Sequence, residues 1–314
     1  MPDLLRSRLR DSGQDAVRGI TMVNVCFLLL TIGDVATVWA LPVMGVVGAM
    51  IGRGLAGGSV VAVVALGQAG GLYRLRPRRV SLVAFRSVIH AAASLTWYIA
   101  WSWSLGLADS YAVGYAAPLM MLVLAGPMLS ERIGLRRWAA TGIGFLGMLV
   151  MLRPGGDLWT GATLLLLCGV AAMAVSRNLT RLLSTTETPE CLAFWLLAAH
   201  VPVGVAMLAG GFPLPGIDTT VIVCLTILGV SNGLAHWIYS RACALAPMGA
   251  LAPYEYAGLI WAGLFGYLAF AQVPSGWTMG GAGVVVAAGL YNFVGEQRRS
   301  RAERTAFRMA GAGG

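Results

Sequence analysis

The sequence predicts an all-α, polytopic membrane protein whose ten transmembrane helices form two inverted five-helix repeats. Three observations carry that expectation. Of the 314 residues, 58% are hydrophobic and only 11% are charged, where soluble domains carry about 25% charged residues. Apolar runs of roughly 20 residues, the length that crosses a bilayer, follow one another with short polar separators. The arginines flank every second run.

Taken in order, residues 1–18 form a polar tail with Arg6, Arg8, Arg10 and Arg18. Spans are then predicted at 20–40, 45–67, 82–107, 110–129, 137–152, 159–181, 191–209, 219–240, 247–270 and 276–296. Pro42 to Met44, Ala108-Asp109, Ser130 to Arg136 and Arg153 to Leu158 separate neighbouring runs. No small-residue cleavage site follows the first run, so it reads as a retained helix and not as a signal peptide. Residues 297–314 form a basic tail.

The positive-inside rule gives an orientation. With the N-terminus in the cytoplasm and ten alternating spans, 20 of the 22 arginines fall on or beside the inner side. Arg153 alone falls outside, and Arg53 lies within a span. Both termini are therefore expected in the cytoplasm, and the formal charge of +9 faces anionic lipid headgroups. No nucleic-acid partner is needed to explain it. Five small-xxx-small pairs, at Gly48/Gly52, Gly54/Gly58, Gly67/Gly71, Gly229/Gly233 and Gly276/Gly280, read as helix-packing positions.

The charge inventory excludes several chemistries. Every basic residue is Arg and there is no Lys. A P-loop needs its Lys on the nucleotide phosphates, so ATP-driven pumping by this chain is excluded. Schiff-base chemistry needs Lys as well. Cys26, Cys168, Cys191, Cys224 and Cys243 are scattered through apolar runs, with no metal-ligand or disulfide spacing. No cofactor and no metal are expected.

The two halves resemble each other. Residues 107–151 begin Leu-Ala, pass Pro118, reach Leu129-Ser130-Glu131-Arg132, then Trp138 and a Gly-rich run. Residues 245–291 begin Leu-Ala, pass Pro253, reach Phe270-Ala271-Gln272-Val273, then Trp277 and another Gly-rich run. Five spans per half is an odd number, so the second half must be inverted, the architecture of secondary transporters with a midplane site. Repeats at 19–153 and 154–296 follow from this reading.

Over residues 20–295 the chain resembles the EamA-type members of the drug/metabolite transporter superfamily. The resemblance is carried by Arg53, by Ala116-Ala117-Pro118-Leu119 through Leu129-Ser130-Glu131-Arg132, and by Gly142 to Gly147 in the first unit. In the second it is carried by Ala252-Pro253-Tyr254-Glu255-Tyr256, Leu259-Ile260-Trp261-Ala262 and Gly266-Tyr267-Leu268. Gln272 stands near the point where the family usually has a Glu, while Glu131 keeps the acid in the first half. In that family both lie at a membrane edge, so neither is assigned a proton role. The ninth-span wording resembles bacterial amino-acid exporters, the aromatic type included.

Ionisable residues inside a bilayer are candidates for function. Asp34 and Arg53 lie roughly 10–12 Å deep on consecutive antiparallel spans at 1.5 Å per residue. They read as a structural ion pair, or Asp34 reads as a substrate or proton group. His90, Ser94, Trp97 and Trp101 share one face of the third span, which reads as a cavity wall or as helix packing. His200, just before Pro202, reads as a partner for backbone groups freed by a kink. Asn232, His236 and Tyr239 share a face of the eighth span. Glu255 either holds a substrate ammonium, pairs with His236 or bonds a neighbouring helix. With Tyr115 and Trp261, these residues define an expected binding site between the third, fourth, eighth and ninth spans.

The expected function is export of small organic metabolites, amino acids including aromatic ones foremost, by alternating access without ATP. Efflux of cationic drugs or quaternary amines is the alternative, since aromatic walls with an acid suit them as well. An intramembrane enzyme is disfavoured by the absence of H-E-x-x-H, G-x-S-x-G and G-x-G-D. No filter sequence or charged ring suggests a channel. The partners expected are a small-molecule substrate and the lipid bilayer, for a monomer in the bacterial inner membrane.

Overall fold

The computed structural model describes residues 13–131, 134–152 and 160–271, and from the stretch beyond them residues 276–277, 279–284, 287–288, 291, 294 and 298. Most of both tails, Arg132, Arg153, Gln272 and much of the expected tenth span lie outside the described residues.

The described chain is helical throughout. In order the helices are α1 (Gly13–Leu66), α2 (Val80–Ser102), α3 (Leu107–Gly114), α4 (Ala116–Leu129), α5 (Leu135–Leu152), α6 (Gly161–Leu183), α7 (Pro189–Ala198), α8 (His200–Ala209), α9 (Thr219–Leu245), α10 (Met248–Leu251) and α11 (Ala257–Phe270). A straight helix of 54 residues would be about 80 Å long, far more than the ~30 Å apolar thickness of a bilayer. It breaks instead at Gly45, where φ is 63° and ψ 177°. That conformation suits a residue with no Cβ, and Pro42 one turn earlier cannot continue the helical ladder. The first two expected spans are the two arms of α1. Among the described residues six helices are long and apolar enough to cross a membrane, and Trp138–Met151 is a shorter apolar one. The protein is an all-α, polytopic membrane protein.

Local chemistry sets the helix ends. Thr160, Thr188 and Asp218 cap α6, α7 and α9 by accepting the backbone N–H three residues on, and Pro189 follows its cap in a position that needs no N–H partner. At their other ends α4 and α11 stop on Ser130 and Ala271, both left-handed with φ near 50°. His200 Nδ1 lies 2.9 Å from the Leu196 carbonyl and 3.1 Å from that of Leu197, at the break between α7 and α8.

Small residues bring the helices together, since lipid offers no hydrophobic drive for helix pairing. The closest partnership joins α1 and α9. A Cβ on Gly229 would lie 3.0 Å from the backbone carbon of Ala56, and one on Gly233 would lie 2.9 Å from the Gly57 carbonyl. Backbone cannot swing aside as a side chain can. Gly233→Ala is therefore expected to cost about 1–3 kcal/mol, read as a lower melting temperature in detergent. Gly142→Ala, with no atom of the described residues within 4 Å of its added methyl, should leave the melting temperature unchanged or raise it. Equal effects at the two positions would remove this account of the α1–α9 contact.

Three arginines counted above as flanking charges lie inside the protein. Arg86 and Arg181 are buried, and the Arg177 side chain is 12% exposed. Each finds partners in the bundle, so their charges say nothing about sidedness. Arg181 lies beside the Cys243 carbonyl and 3.6 Å from Glu131. Glu131 also accepts the backbone N–H groups of Met248 and Gly249 at 3.1 and 3.2 Å. This carboxylate thus ties the end of α4 to the end of α6 and the start of α10. At the same end of the bundle Glu187 accepts the N–H groups of Arg78 and Arg79, and Glu190 pairs with Arg74 at 2.9 Å. At the other end, Gly216 N–H donates to the Val43 carbonyl at 3.1 Å.

Candidate functional site

The bundle holds a cavity that is partly open to the outside, with about 70 Å³ of free space for water-sized particles. Both arms of α1 line it, with α2, the α3–α4 break, α6, α9 and the start of the ninth expected span.

One part of the wall is aromatic. Trp97 and Trp101 are successive turns of α2, and their ring centroids are 5.8 Å apart. Tyr111 of α3 stands edge-on to Trp97 at 5.6 Å, and Tyr115 marks the break between α3 and α4. Trp101 donates its indole N–H to Ser110 at 2.9 Å, which fixes that ring. Gly114 makes room for the other: a Cβ there would come within 2.9 Å of the Trp97 ring. Trp97 Nε1 and Tyr115 Oη have no hydrogen-bond partner among the described residues.

The middle of the cavity is charged. Asp34 accepts the Tyr111 hydroxyl at 2.6 Å. Arg53 donates to the Tyr98 hydroxyl at 3.0 Å and to His236 Nε2 at 2.9 Å. The expected direct pair of Asp34 with Arg53 is thus replaced by separate partners, because each has a tyrosine nearer to hand. Both charges still line the one cavity.

Arg177 and Glu255 form its floor. They make an ion pair, and Tyr239 donates to the other Glu255 oxygen at 2.8 Å. The Arg177 guanidinium lies 5.3 Å from the Phe27 ring centroid and 5.7 Å from that of Tyr239, within cation–π range. The cation beside Glu255 is thus Arg177 of a neighbouring helix and not His236.

The expected site residues fall into two groups. His90, Trp97, Trp101, Tyr115, His236 and Glu255 line the cavity with Asp34 and Arg53. Asn232, Tyr239 and Trp261 do not. The Asn232 carboxamide fills the space beside Gly33, Tyr239 supports Glu255 from behind, and Trp261 packs on the apolar cluster around Met121 and Tyr254. Position along the shared face explains the difference: about one turn from His236, that face of α9 is taken up by Gly33 of α1 beside Asn232 and by Arg177 and Glu255 beside Tyr239. Sequence reasoning missed Phe27, Tyr98, Tyr111 and Arg177. For Tyr111 a signal exists, its i, i+4 spacing to Tyr115. For Arg177 the signal is its place within the predicted sixth span. Among the described residues no group of three or more His, Cys, Asp and Glu side chains is placed to hold a metal.

A helical bundle with a ring-lined, charge-bearing cavity and no nucleotide motif defines a class, the membrane transporters. Comparison with known proteins narrows it. No family profile matches the chain. It is 31% identical over 206 residues to a riboflavin transporter of Rhizobium johnstonii, covering 64% of this chain and 68% of that one. It is 29% identical over 208 residues to a riboflavin transporter of Vibrio cholerae, covering 65% and 70%. To an S-adenosylmethionine uptake transporter of Rickettsia prowazekii it is 26% identical over 226 residues, covering 69% and 76%. A crystal structure with 16% sequence identity superposes with a TM-score of 0.71 over 89% of this chain and 98% of that one, and so shares the fold. The chain belongs to the bacterial transporter family that includes the Rhizobium johnstonii riboflavin transporter.

Proposed function

We propose that the protein is a secondary transporter that takes up a metabolite bearing a flat heteroaromatic ring, riboflavin first among the candidates. The observation that carries this reading is the composition of the cavity: Trp97, Trp101, Tyr111 and Tyr115 beside Asp34, Arg53, His90 and His236. A ring stacks on the aromatic part, and a polar chain reaches hydrogen-bonding groups in the middle. The names of the relatives support uptake over export. The test is growth of a riboflavin-auxotrophic bacterium on low external riboflavin. Expression of this chain should restore growth, and failure at normal expression levels would count against riboflavin.

Alternating access in this reading runs between inverted repeats at 19–153 and 154–296, ten spans in all, in the bacterial plasma membrane. Matching breaks support the repeat. The fourth span breaks at Tyr115 and the ninth between Leu251 and Ala257, and both end on a left-handed non-glycine residue, Ser130 and Ala271. Both tails, 1–18 and 297–314, are placed in the cytoplasm on the arginine bias that remains once the buried arginines are set aside. Single cysteines introduced near Asp109 and Asp218 should then react with a membrane-impermeant thiol reagent from outside, and one near Arg76 should not. The reverse pattern would invert the topology.

The second reading is export of amino acids, aromatic ones included. Asp34 and Arg53 in one cavity favour it, because together they match the ammonium and carboxylate of a zwitterion. Counterflow of tryptophan or phenylalanine into proteoliposomes tests it, and absence of flux with either would remove it.

A further inference from the structure

Four arginines lie inside the bundle among the described residues, and they are not equally served. Arg177 has Glu255, Arg181 has Glu131, and Arg53 shares its cavity with Asp34. Arg86 has no acid. It is 1% exposed, and it donates to the Thr180 hydroxyl at 2.9 Å and the Leu192 carbonyl at 2.7 Å. The buried carboxylates at its end of the bundle are engaged elsewhere: Glu187 by backbone N–H groups, Glu190 by Arg74 and the Trp237 indole. A buried cation whose partners are all neutral is costly, because neutral acceptors offset only part of its lost hydration.

A second, small cavity adjoins Arg86. It has about 10 Å³ of free space, room for about one water-sized particle. Arg86, Arg177, His90, His236, Thr180 and Ser240 are among its walls, and among the described residues no carboxylate is. His90, Arg177 and His236 also line the main cavity, so the two share a wall.

The hydrogen-bond pattern fixes what this wall offers. A guanidinium only donates, so the His236 Nε2 atom 2.9 Å from Arg53 is an acceptor. The ring hydrogen is then on Nδ1, for which there is no partner among the described residues. His90 Nε2 is buried and likewise lacks a partner among them. Ser240 spends its hydroxyl hydrogen on the His236 carbonyl at 2.8 Å. One guanidinium without an acidic partner among the described residues, a second already paired with Glu255, and a free N–H surround a space for one particle, which favours negative charge there.

We propose that the small cavity binds one monovalent anionic group, held by Arg86, Arg177 and His236 Nδ1–H. The group is either a free halide-sized anion or one carboxylate oxygen of a solute that occupies the main cavity. The site goes beyond the transport reading, and its test uses no flux. Purified full-length protein is melted in detergent while sodium gluconate is exchanged for sodium chloride at constant ionic strength. The melting temperature should rise saturably by a few degrees in the wild type and not respond in Arg86→Gln. Because Arg86→Gln strips Thr180 and Leu192 of a donor and can misfold, bromide-soaked wild-type crystals give an independent readout, with an anomalous peak expected between Arg86, Arg177 and His236. Tryptophan and tryptamine, added in gluconate, separate the sources. If tryptophan alone raises the melting temperature and abolishes the chloride response, the group is a substrate carboxylate; if neither does, it is a free anion. The proposal is overturned if neither chloride nor tryptophan moves the wild type, if Arg86→Gln responds like the wild type, or if bromide shows no peak at this place.

Discussion

Glu255→Gln is expected to abolish transport and to lower the melting temperature sharply. The substitution keeps shape and the Tyr239 hydrogen bond but removes the charge opposite Arg177. Glu255 is 2% exposed on its side chain and Arg177 12%, so water cannot take the place of the lost partner. Breaking a buried pair from one side typically costs about 3–5 kcal/mol, whereas removing both partners is often far milder. Arg177→Gln combined with Glu255→Gln should therefore recover much of the lost stability. It should not recover transport, because the double variant lacks the charges at the floor of the cavity. Thermal unfolding of the two single variants and the double variant gives the coupling directly. Additive effects would show that the pair stores no interaction energy. Full transport by Glu255→Gln would take this residue out of the site.

Trp97→Ala should weaken riboflavin binding by about 2 kcal/mol or more, about thirtyfold, as for a central aromatic anchor. Trp97 is held between Trp101, Tyr111 and the bare backbone of Gly114, so its ring is positioned before a ligand arrives. Quenching of flavin fluorescence by the purified protein measures the effect. Trp261→Phe, on the α11 face packed against Met121 and Tyr254, should leave the affinity unchanged. Unchanged affinity in Trp97→Ala would place the ring of the ligand elsewhere.

How much of this was legible in the sequence depends on which force sets each feature. The apolar spans among the described residues were readable because bilayer thickness and hydration energy act on composition alone, but their ends were less so: α1 starts seven residues before 20 and α9 runs five beyond 240. The break at Gly45 was readable as a short separator around Pro42. His90, Trp97 and Trp101 were readable as a face, since α2 is a regular helix and spacing maps directly to direction. Across helices that reasoning stops. Asp34 and Arg53 had matched depth, but depth does not reveal the tyrosines, Tyr111 and Tyr98, that lie nearer to each. Arg177 and Arg86 looked like flanking charges because they stand within a few turns of helix ends at the arginine-rich side. Only packing shows that their side chains turn inward to Glu255 and Thr180. Trp261 failed for the same reason: an aromatic in the ninth span has no preferred side until its neighbours are known.

The most direct test of the transport reading is counterflow of labelled riboflavin into proteoliposomes preloaded with unlabelled riboflavin, without ATP. Saturable, transient accumulation by the wild-type protein, lost in Glu255→Gln, is the predicted result. Accumulation no greater than in protein-free liposomes would contradict it.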